Sequence, residues 1–328
     1  MNDNTSSLRL QPIELEPCAK RRKRDDEIQQ HGLLWFEDGN VILITEDRVG
    51  FKLHKSVLSL HSDLFKDMFI LPQPVESAEM DGCFVVHLQD ASSGMATLLK
   101  LFYNHNSSYS GAVSFSLIQD VCHLSHKYQV ERWRVDVLMR LSHCYPQDLA
   151  SQRHPHIANT PLTLPIHFQY WTLDSMNVVN MAIHYEMKAI LPSAVYAASQ
   201  ASMTELVQGV SDGRWDMDDL ELCLKAKEML AFATEELFHQ LCRASLPECK
   251  GVPESSSSLL VQSCTHVLAK SWPYFHADKS GTPFFVAHHI WFYRIRKMVC
   301  SKCRPNYDNV FRQQQGVAWK RLEDLCTI

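Results

Sequence analysis

The chain has 328 residues, which is enough for two ordinary domains. Its 45% apolar and 21% charged residues are typical of a folded protein and exclude wholesale disorder. The formal charge of -5 is too mild to indicate direct nucleic-acid or membrane binding. No apolar run reaches the roughly 20 residues of a spanning helix, and the polar N-terminus is unlike a secretion signal. We therefore expect an intracellular protein, in the nucleus, the cytoplasm or both.

The first 30 residues are polar, show no apolar periodicity and are predicted to be a disordered basic tail. Their main feature is a basic run consisting of Lys20, Arg21, Arg22, Lys23 and Arg24. Such a run is either a solvated arm without a specific role or a nuclear-import signal. Both interpretations stay open at the level of sequence.

Short strands are predicted from residue 33 onward, at Leu33 to Phe36, Val41 to Thr45 and Phe51 to His54. Two short helices should follow, the second with Ser62 as its N-cap, and then a return strand over residues 84–88. Asp90 to Ser93 should cap a third helix, whose apolar stripe is Met95, Leu98, Leu99 and Phe102. Two further helices end near Tyr145.

Four prolines among polar residues make 146–165 a predicted linker. Beyond it strand patterns nearly vanish. Helical patterns recur at 174–190, 192–202, 216–231, 234–245, 256–270, 283–300 and 307–326. The sequence therefore predicts an α+β domain over 31–145 and an all-α domain over 166–328.

The segments Asn40–Thr45, Phe51–Leu58 and His61–Phe69 closely resemble the core motif of the BTB/POZ family. Its most specific residues here are Leu53, His54, Lys55, Val57, Leu58, Ser62, Phe65, Met68 and Phe69. The stretches Trp35–Gly39 and Asp81–Leu88 resemble a fungal branch of single-BTB proteins, as do Leu191–Tyr196 and Trp319–Leu325 in the second half.

The resemblance implies a homodimer, or a heterodimer with another BTB protein, joined through the first helices and the N-terminal strand. The interface candidates are Leu33, Trp35, Val57, Leu58, Leu64, Phe65 and Phe69. The alternative for each of them is ordinary core. A two-fold dimer would bury such a patch against its copy.

The charged pocket that the family forms at the dimer interface departs from its usual pattern in this chain. The family commonly has an aspartate where this chain has Asn40, opposite the basic residue that is Lys55 here. Since an amide brings no compensating charge, either Lys55 is more exposed than usual or another carboxylate pairs with it. A cullin-binding segment would fall near Glu76 or Glu79, where prolines interrupt the pattern.

No glycine pattern of a dinucleotide, phosphate or nucleophile loop is present, so no cofactor and no small-molecule substrate are predicted. Eleven scattered cysteines are interpreted as reduced thiols. The weak metal candidates are Cys300 and Cys303, with His288 and His289 upstream. One CxxC supplies only two of the four ligands that a structural zinc needs, so no metal is predicted.

The leading functional hypothesis is a non-enzymatic, dimeric adaptor or scaffold whose helical domain binds an unknown second protein. One alternative is a nuclear transcription regulator that acts through a corepressor. Another is a substrate receptor of a cullin-type ubiquitin ligase.

Overall fold

The computed structural model describes residues 28–71, 79–103, 109–148, 165–169, 171–249, 251–253, 261–277 and 296–327. The chain divides into two compact units, Met1–Asn104 and His105–Ile328. The first is α+β and the second is mainly helical, as the sequence predicts. The division precedes two helices that the sequence assigns to the first domain, and the linker at 146–165 stays a prediction.

The first unit is built on a five-stranded sheet in the order β1-β3-β2-β5-β4. Its strands are β1 (Gln29–Trp35), β2 (Val41–Ile44), β3 (Val49–Leu53), β4 (Glu79–Met80) and β5 (Cys83–His87). β2 lies between antiparallel β3 and parallel β5, and all four of its side chains are buried. A strand buried on both faces reads as a continuous apolar run, and this explains why Val41–Ile44 shows no alternation.

Three helices accompany the sheet: α1 (Lys55–His61), α2 (Asp63–Ile70) and α3 (Ser92–Phe102). The break between α1 and α2 lies at Ser62, whose Oγ accepts a hydrogen bond from the Phe65 N–H at 3.1 Å. This confirms the predicted N-cap. The predicted stripe of α3 is also confirmed, because Met95, Leu98, Leu99 and Phe102 are all buried.

The N-termini of α1 and α3 are capped by side chains from the sheet loops. Asn40 Oδ1 accepts from the Lys55 N–H at 2.8 Å, and Asp47 Oδ1 accepts from the Ser92 N–H at 3.0 Å. Neither helix has a side-chain cap from its own N-cap residue, and the N-cap of α3 is Ala91. The prediction that Asp90 to Ser93 cap α3 is therefore wrong, since Asp47 satisfies the N–H from a distant part of the chain.

The second unit contains α4 (Phe115–Lys127), α5 (Glu131–Cys144), α6 (Trp171–His184), α7 (Leu191–Ala198) and α8 (Met203–Ser211). They are followed by α9 (Met217–Arg243), α10 (Cys264–Ala277) and α11 (Arg304–Leu325). Among the described residues, strands in this unit are two-residue pairs: β6 (Val113–Ser114) with β7 (Ile166–His167), and β8 (Val252–Pro253) with β9 (Val261–Gln262).

The long helix α9 replaces two predicted helices. Residues 217–243 form one helix of 27 residues, where the sequence predicts a break between 231 and 234. Its buried stripe, which includes Leu230, Ala233 and Leu237, continues through that point at helical spacing. Nothing in this stretch interrupts the hydrogen-bond ladder, so the helix continues and packs against α6, α7, α10 and α11. None of the helices within the described ranges is long and apolar enough to cross a membrane.

Candidate interaction surface and thiol cluster

The predicted interface residues separate into core and surface. Leu58 is 0% and Phe65 1% exposed, so these two side chains belong to the core of the first unit. Their assignment to a dimer surface is wrong, because a side chain buried within the protomer has no area left for a partner. Leu33, at 72%, and Leu64, at 39%, are exposed.

The other three candidates, Trp35, Val57 and Phe69, are partly buried. Trp35 packs against the sheet cluster that contains Ile42 and Val85. A Cβ added at Gly50 would lie 3.1 Å from the Trp35 ring, so the strand backbone also contacts this indole closely. Trp35 therefore packs against the sheet, and its side chain is also partly exposed to solvent.

Sequence reasoning missed three strongly exposed apolar residues near the predicted patch: Leu60 at 78%, Ile70 at 72% and Leu71 at 64%. We refer to these three residues and Leu64, which lie in α1, in α2 or directly after α2, as the helix-pair surface. Leu60 lies two positions after buried Leu58, which places the two side chains on different faces of α1. This spacing is the signal that could have distinguished surface from core.

The strand-to-helix passage at Leu53–Lys55 is held by an aromatic and histidine cluster. The Tyr103 hydroxyl accepts from the His54 backbone N–H at 3.0 Å and lies 3.0 Å from His54 Nδ1. His54 Nε2 is 3.2 Å from Asp38 Oδ1, and the Phe36 ring stacks on Tyr103 at 4.7 Å. Burial raises the pKa of Tyr103, so its hydroxyl stays protonated. These contacts fix the direction in which α1 leaves the sheet.

Lys55 and Asn40 do meet, but through the Lys55 backbone. The Lys55 Nζ lies 5.6 Å from the centre of the Phe69 ring and 5.4 Å from that of Phe84. Two aromatic faces attract an ammonium group through their quadrupoles. Lys55 is therefore partly buried above two rings, and the prediction that another carboxylate pairs with it stays a prediction.

Four thiols converge in the second unit, and we call them the thiol cluster: Cys249, Cys264, Cys300 and Cys303. Their sulfur atoms all lie within 4.8 Å of one another, and Cys249 Sγ is 4.0 Å from Cys300 Sγ. All four are free thiols. Cys264 and Cys303 are fully buried, Cys300 is 8% exposed, and Cys249 is partly buried. The sequence indicates Cys300 and Cys303 as weak metal candidates, but sequence reasoning did not place Cys249 and Cys264 beside them.

Each thiol of the cluster sits at a defined point of the local fold. Cys249 closes a turn after α9, in which its N–H donates to the Leu246 carbonyl at 3.0 Å. Cys264 is the first residue of α10, and Cys303 is the N-cap of α11. The Cys300 carbonyl accepts from the Arg304 N–H at 3.1 Å, which folds the CxxC segment into the start of α11. Three chain segments thus meet at the cluster.

Backbone N–H groups point at the sulfurs. Cys264 Sγ accepts from the Cys300 N–H at 3.2 Å, Cys249 Sγ from the Gly251 N–H at 3.4 Å, and Cys303 Sγ from the Leu246 N–H at 3.5 Å. Burial raises the pKa of Cys264 and of Cys303. Burial also opposes ionisation of Cys300, but hydrogen bonds from the Cys303 backbone and the neighbouring thiols lower its pKa to about 6.

A groove of the second unit holds a cysteine beside histidines, but not in a nucleophilic arrangement. Its lining includes Cys122, His126, Arg134, His184 and Tyr185. Burial raises the pKa of the Cys122 thiol to about 12, so the thiolate that a cysteine nucleophile requires is not formed near neutral pH.

Several sequence-predicted residues lie outside the described residues: the basic run Lys20–Arg24, Glu76, His288 and His289. Glu79 lies in β4 and is exposed. The nuclear-import and cullin-binding predictions therefore stay predictions.

A comparison with protein families matches residues 36–142 to the BTB/POZ domain. The match spans the sheet, α1 to α4 and most of α5. The chain contains a BTB/POZ domain. BTB/POZ domains typically mediate protein interaction and commonly self-associate. The match confirms the resemblance that the sequence shows at Leu53–Lys55 and its apolar neighbours. The predicted helical region follows the domain along the chain. No curated protein matches the chain.

Proposed function

We propose that this protein is a non-enzymatic adaptor or scaffold that dimerises through the helix-pair surface of its BTB/POZ domain and binds a second protein through its helical unit. The observation that carries the proposal is the exposure of Leu60, Leu64, Ile70 and Leu71 on α1, on α2 and directly after α2. Single exposed apolar residues are ordinary, but four exposed apolar side chains on consecutive short helices favour an interaction site.

The partner proposed for this surface is a second copy of the chain. A two-fold dimer presents the same patch from both subunits, so each leucine is buried once in each of the two subunits of one interface. Burying a leucine side chain stabilises by about 1.5–3 kcal/mol, and each 1.4 kcal/mol changes the dissociation constant tenfold. Leu60 and Leu64 together are therefore sufficient to determine whether the dimer persists at micromolar concentration.

The helical unit has its own exposed apolar side chains. Phe232 on α9 is 73% exposed, and Met203 and Val207, one turn apart on α8, are 52% and 50% exposed. Aromatic residues and methionines are enriched where proteins bind one another. We infer that this unit holds the second protein, in an intracellular compartment.

The dimer is tested by analytical ultracentrifugation of the full chain and of two single variants, Leu60→Lys and Leu64→Asp. Lysine in the last turn of α1 and aspartate in the first turn of α2 suit the helix dipoles, so both variants should fold. Each should weaken the dimer by at least about 100-fold, since a charge replaces a leucine at a desolvated contact.

The matched control is Met217→Asp, which changes a 63% exposed residue at the start of α9. It should leave the dimer intact. A wild-type chain that sediments as a monomer at micromolar concentration would refute dimerisation. A dimer that survives both leucine variants would refute the assignment of this surface.

A further inference from the structure

We propose that the thiol cluster, Cys249, Cys264, Cys300 and Cys303, is a structural zinc site of the helical unit. Zinc in structural sites is bound by four ligands in a tetrahedron, with cysteine as a preferred donor. The chain offers four buried or partly buried thiols at one point, and each supplies one sulfur atom.

The separation of the sulfurs fits one ion. A tetrahedral site with Zn–S distances of about 2.3 Å places neighbouring sulfurs about 3.8 Å apart. Here Cys249 Sγ and Cys300 Sγ are 4.0 Å apart, and no pair in the cluster exceeds 4.8 Å. A disulfide needs about 2.05 Å, so the same atoms are too far apart for two crossed disulfides without rearrangement.

The surroundings of the thiols suit thiolates bound to a cation. Three sulfurs accept backbone N–H bonds, from Leu246, Gly251 and Cys300, and such outer contacts orient metal ligands and tune their basicity. Cys264 and Cys303 lie at the N-termini of α10 and α11, where the helix dipole favours negative charge. A zinc ion with four thiolates carries two net negative charges, which these features offset.

Basic side chains of the CxxC segment lie close along the chain. Lys302 stands between the two cysteines, Arg304 follows them, and Arg296 precedes them. Arg304 Nε donates to the Arg296 carbonyl at 3.1 Å, which folds this segment back on itself. Since Arg296 forms an ion pair with Asp308 at 2.9 Å, the cations beside the two cysteines along the chain are Lys302 and Arg304.

The proposed role of the ion is to hold three segments together: the turn after α9, the start of α10 and the start of α11. Polar contacts already tie the same ends, since the Tyr307 hydroxyl lies 2.8 Å from Ser245 Oγ and Asn306 Nδ2 donates to the Ala244 carbonyl at 2.7 Å. A small local core that surrounds a metal gains much of its folding free energy from binding it.

The test is elemental analysis of the full-length chain, purified under reducing conditions without a histidine tag. We expect about one zinc per chain in the wild type. Cobalt should replace the zinc and give the intense sulfur-to-metal absorption of a tetrahedral thiolate site. Both measurements use the wild type and do not depend on the folding of any variant.

The variants Cys264→Ser and Cys303→Ser should reduce the zinc content to a small fraction of one and abolish the cobalt absorption. Cys242→Ser is the matched control, because Cys242 is a partly buried free thiol of the same unit outside the cluster. It should retain the full content. A wild type without metal, with paired disulfides, or with iron and labile sulfide would overturn the assignment, as would full zinc in Cys303→Ser.

Discussion

Gly209 on α8 lies against Trp215 so closely that substitution by alanine should destabilise the helical unit. A Cβ at Gly209 would lie 1.6 Å from Trp215 Cζ2 and 2.1 Å from Cε2. The indole is 5% exposed, and its Nε1–H donates to the Leu206 carbonyl at 3.0 Å. The ring cannot move aside without breaking that bond and losing buried contacts.

The magnitude follows from two opposed effects. Helix propensity alone would make Gly209→Ala stabilising by about 0.5–1 kcal/mol. Overpacking costs about 1–3 kcal/mol. Displacing the indole also loses its hydrogen bond, at about 1 kcal/mol, and part of the several kcal/mol that a buried tryptophan contributes. The expected net loss is about 2–4 kcal/mol.

The assay is urea unfolding followed by circular dichroism, with Gly316→Ala as the matched control. Gly316 is an exposed residue inside α11, and a Cβ there would meet nothing within 4 Å. Its substitution should stabilise by about 0.5–1 kcal/mol, because only helix propensity changes. Gly209→Ala as stable as the wild type, alongside a stabilised Gly316→Ala, would refute the reasoning from the Trp215 contact.

Three further predictions concern single polar side chains. Asn40→Ala should destabilise the first unit by about 1 kcal/mol in urea unfolding, because the Lys55 N–H loses its acceptor, whereas Asn40→Asp should retain the stability or raise it. A hydrogen bond from the Ser92 hydroxyl holds the pKa of Asp47 below its usual value, so its stabilising contribution is present above the unfolded pKa and is lost as pH falls through the folded one. Asp47→Asn should therefore lower the urea midpoint more at about pH 6 than at about pH 3, and an equal effect at both would contradict this cause. Arg140→Met should lower the free energy of unfolding by about 2–4 kcal/mol in thermal or urea unfolding, because Arg140 donates to Asp136 and to the Gly111 and Tyr109 carbonyls. The control Arg134→Met removes an exposed pair with Glu131 and should lower it by less than about 1 kcal/mol.

The sequence predicted the strands and helices of the first unit well where the pattern was local. The position of β2 and the stripe of α3 follow from the order of apolar residues, and Ser62 caps α2 through its own neighbour Phe65. The caps of α1 and α3 could not be found in this way, because Asn40 and Asp47 are far from those helices along the chain.

The candidate sites were predicted less completely for the same reason. Cys300 and Cys303 form a visible CxxC, but Cys249 and Cys264 are single cysteines whose approach depends on how α9, α10 and α11 pack. Likewise, Leu58 and Leu60 are identical residues two positions apart, and the core accommodates only one of them. Local periodicity predicts the helix correctly but does not show which of its apolar faces is buried in the core.

The division of α1 and α2 into a buried and an exposed apolar set bears directly on how this protein can associate. Leu58 and Phe65 hold the helices to the unit, while Leu60 is 78% and Leu64 39% exposed. Because the two sets do not overlap, we expect substitutions in the exposed set to leave the fold of the unit intact. The Asn40 side chain holds the start of α1, and the rings of Phe69 and Phe84 hold the Lys55 ammonium group above them. In the proposed dimer, each subunit would therefore present its exposed apolar side chains on helices that are already folded, and this would limit the ordering cost of association.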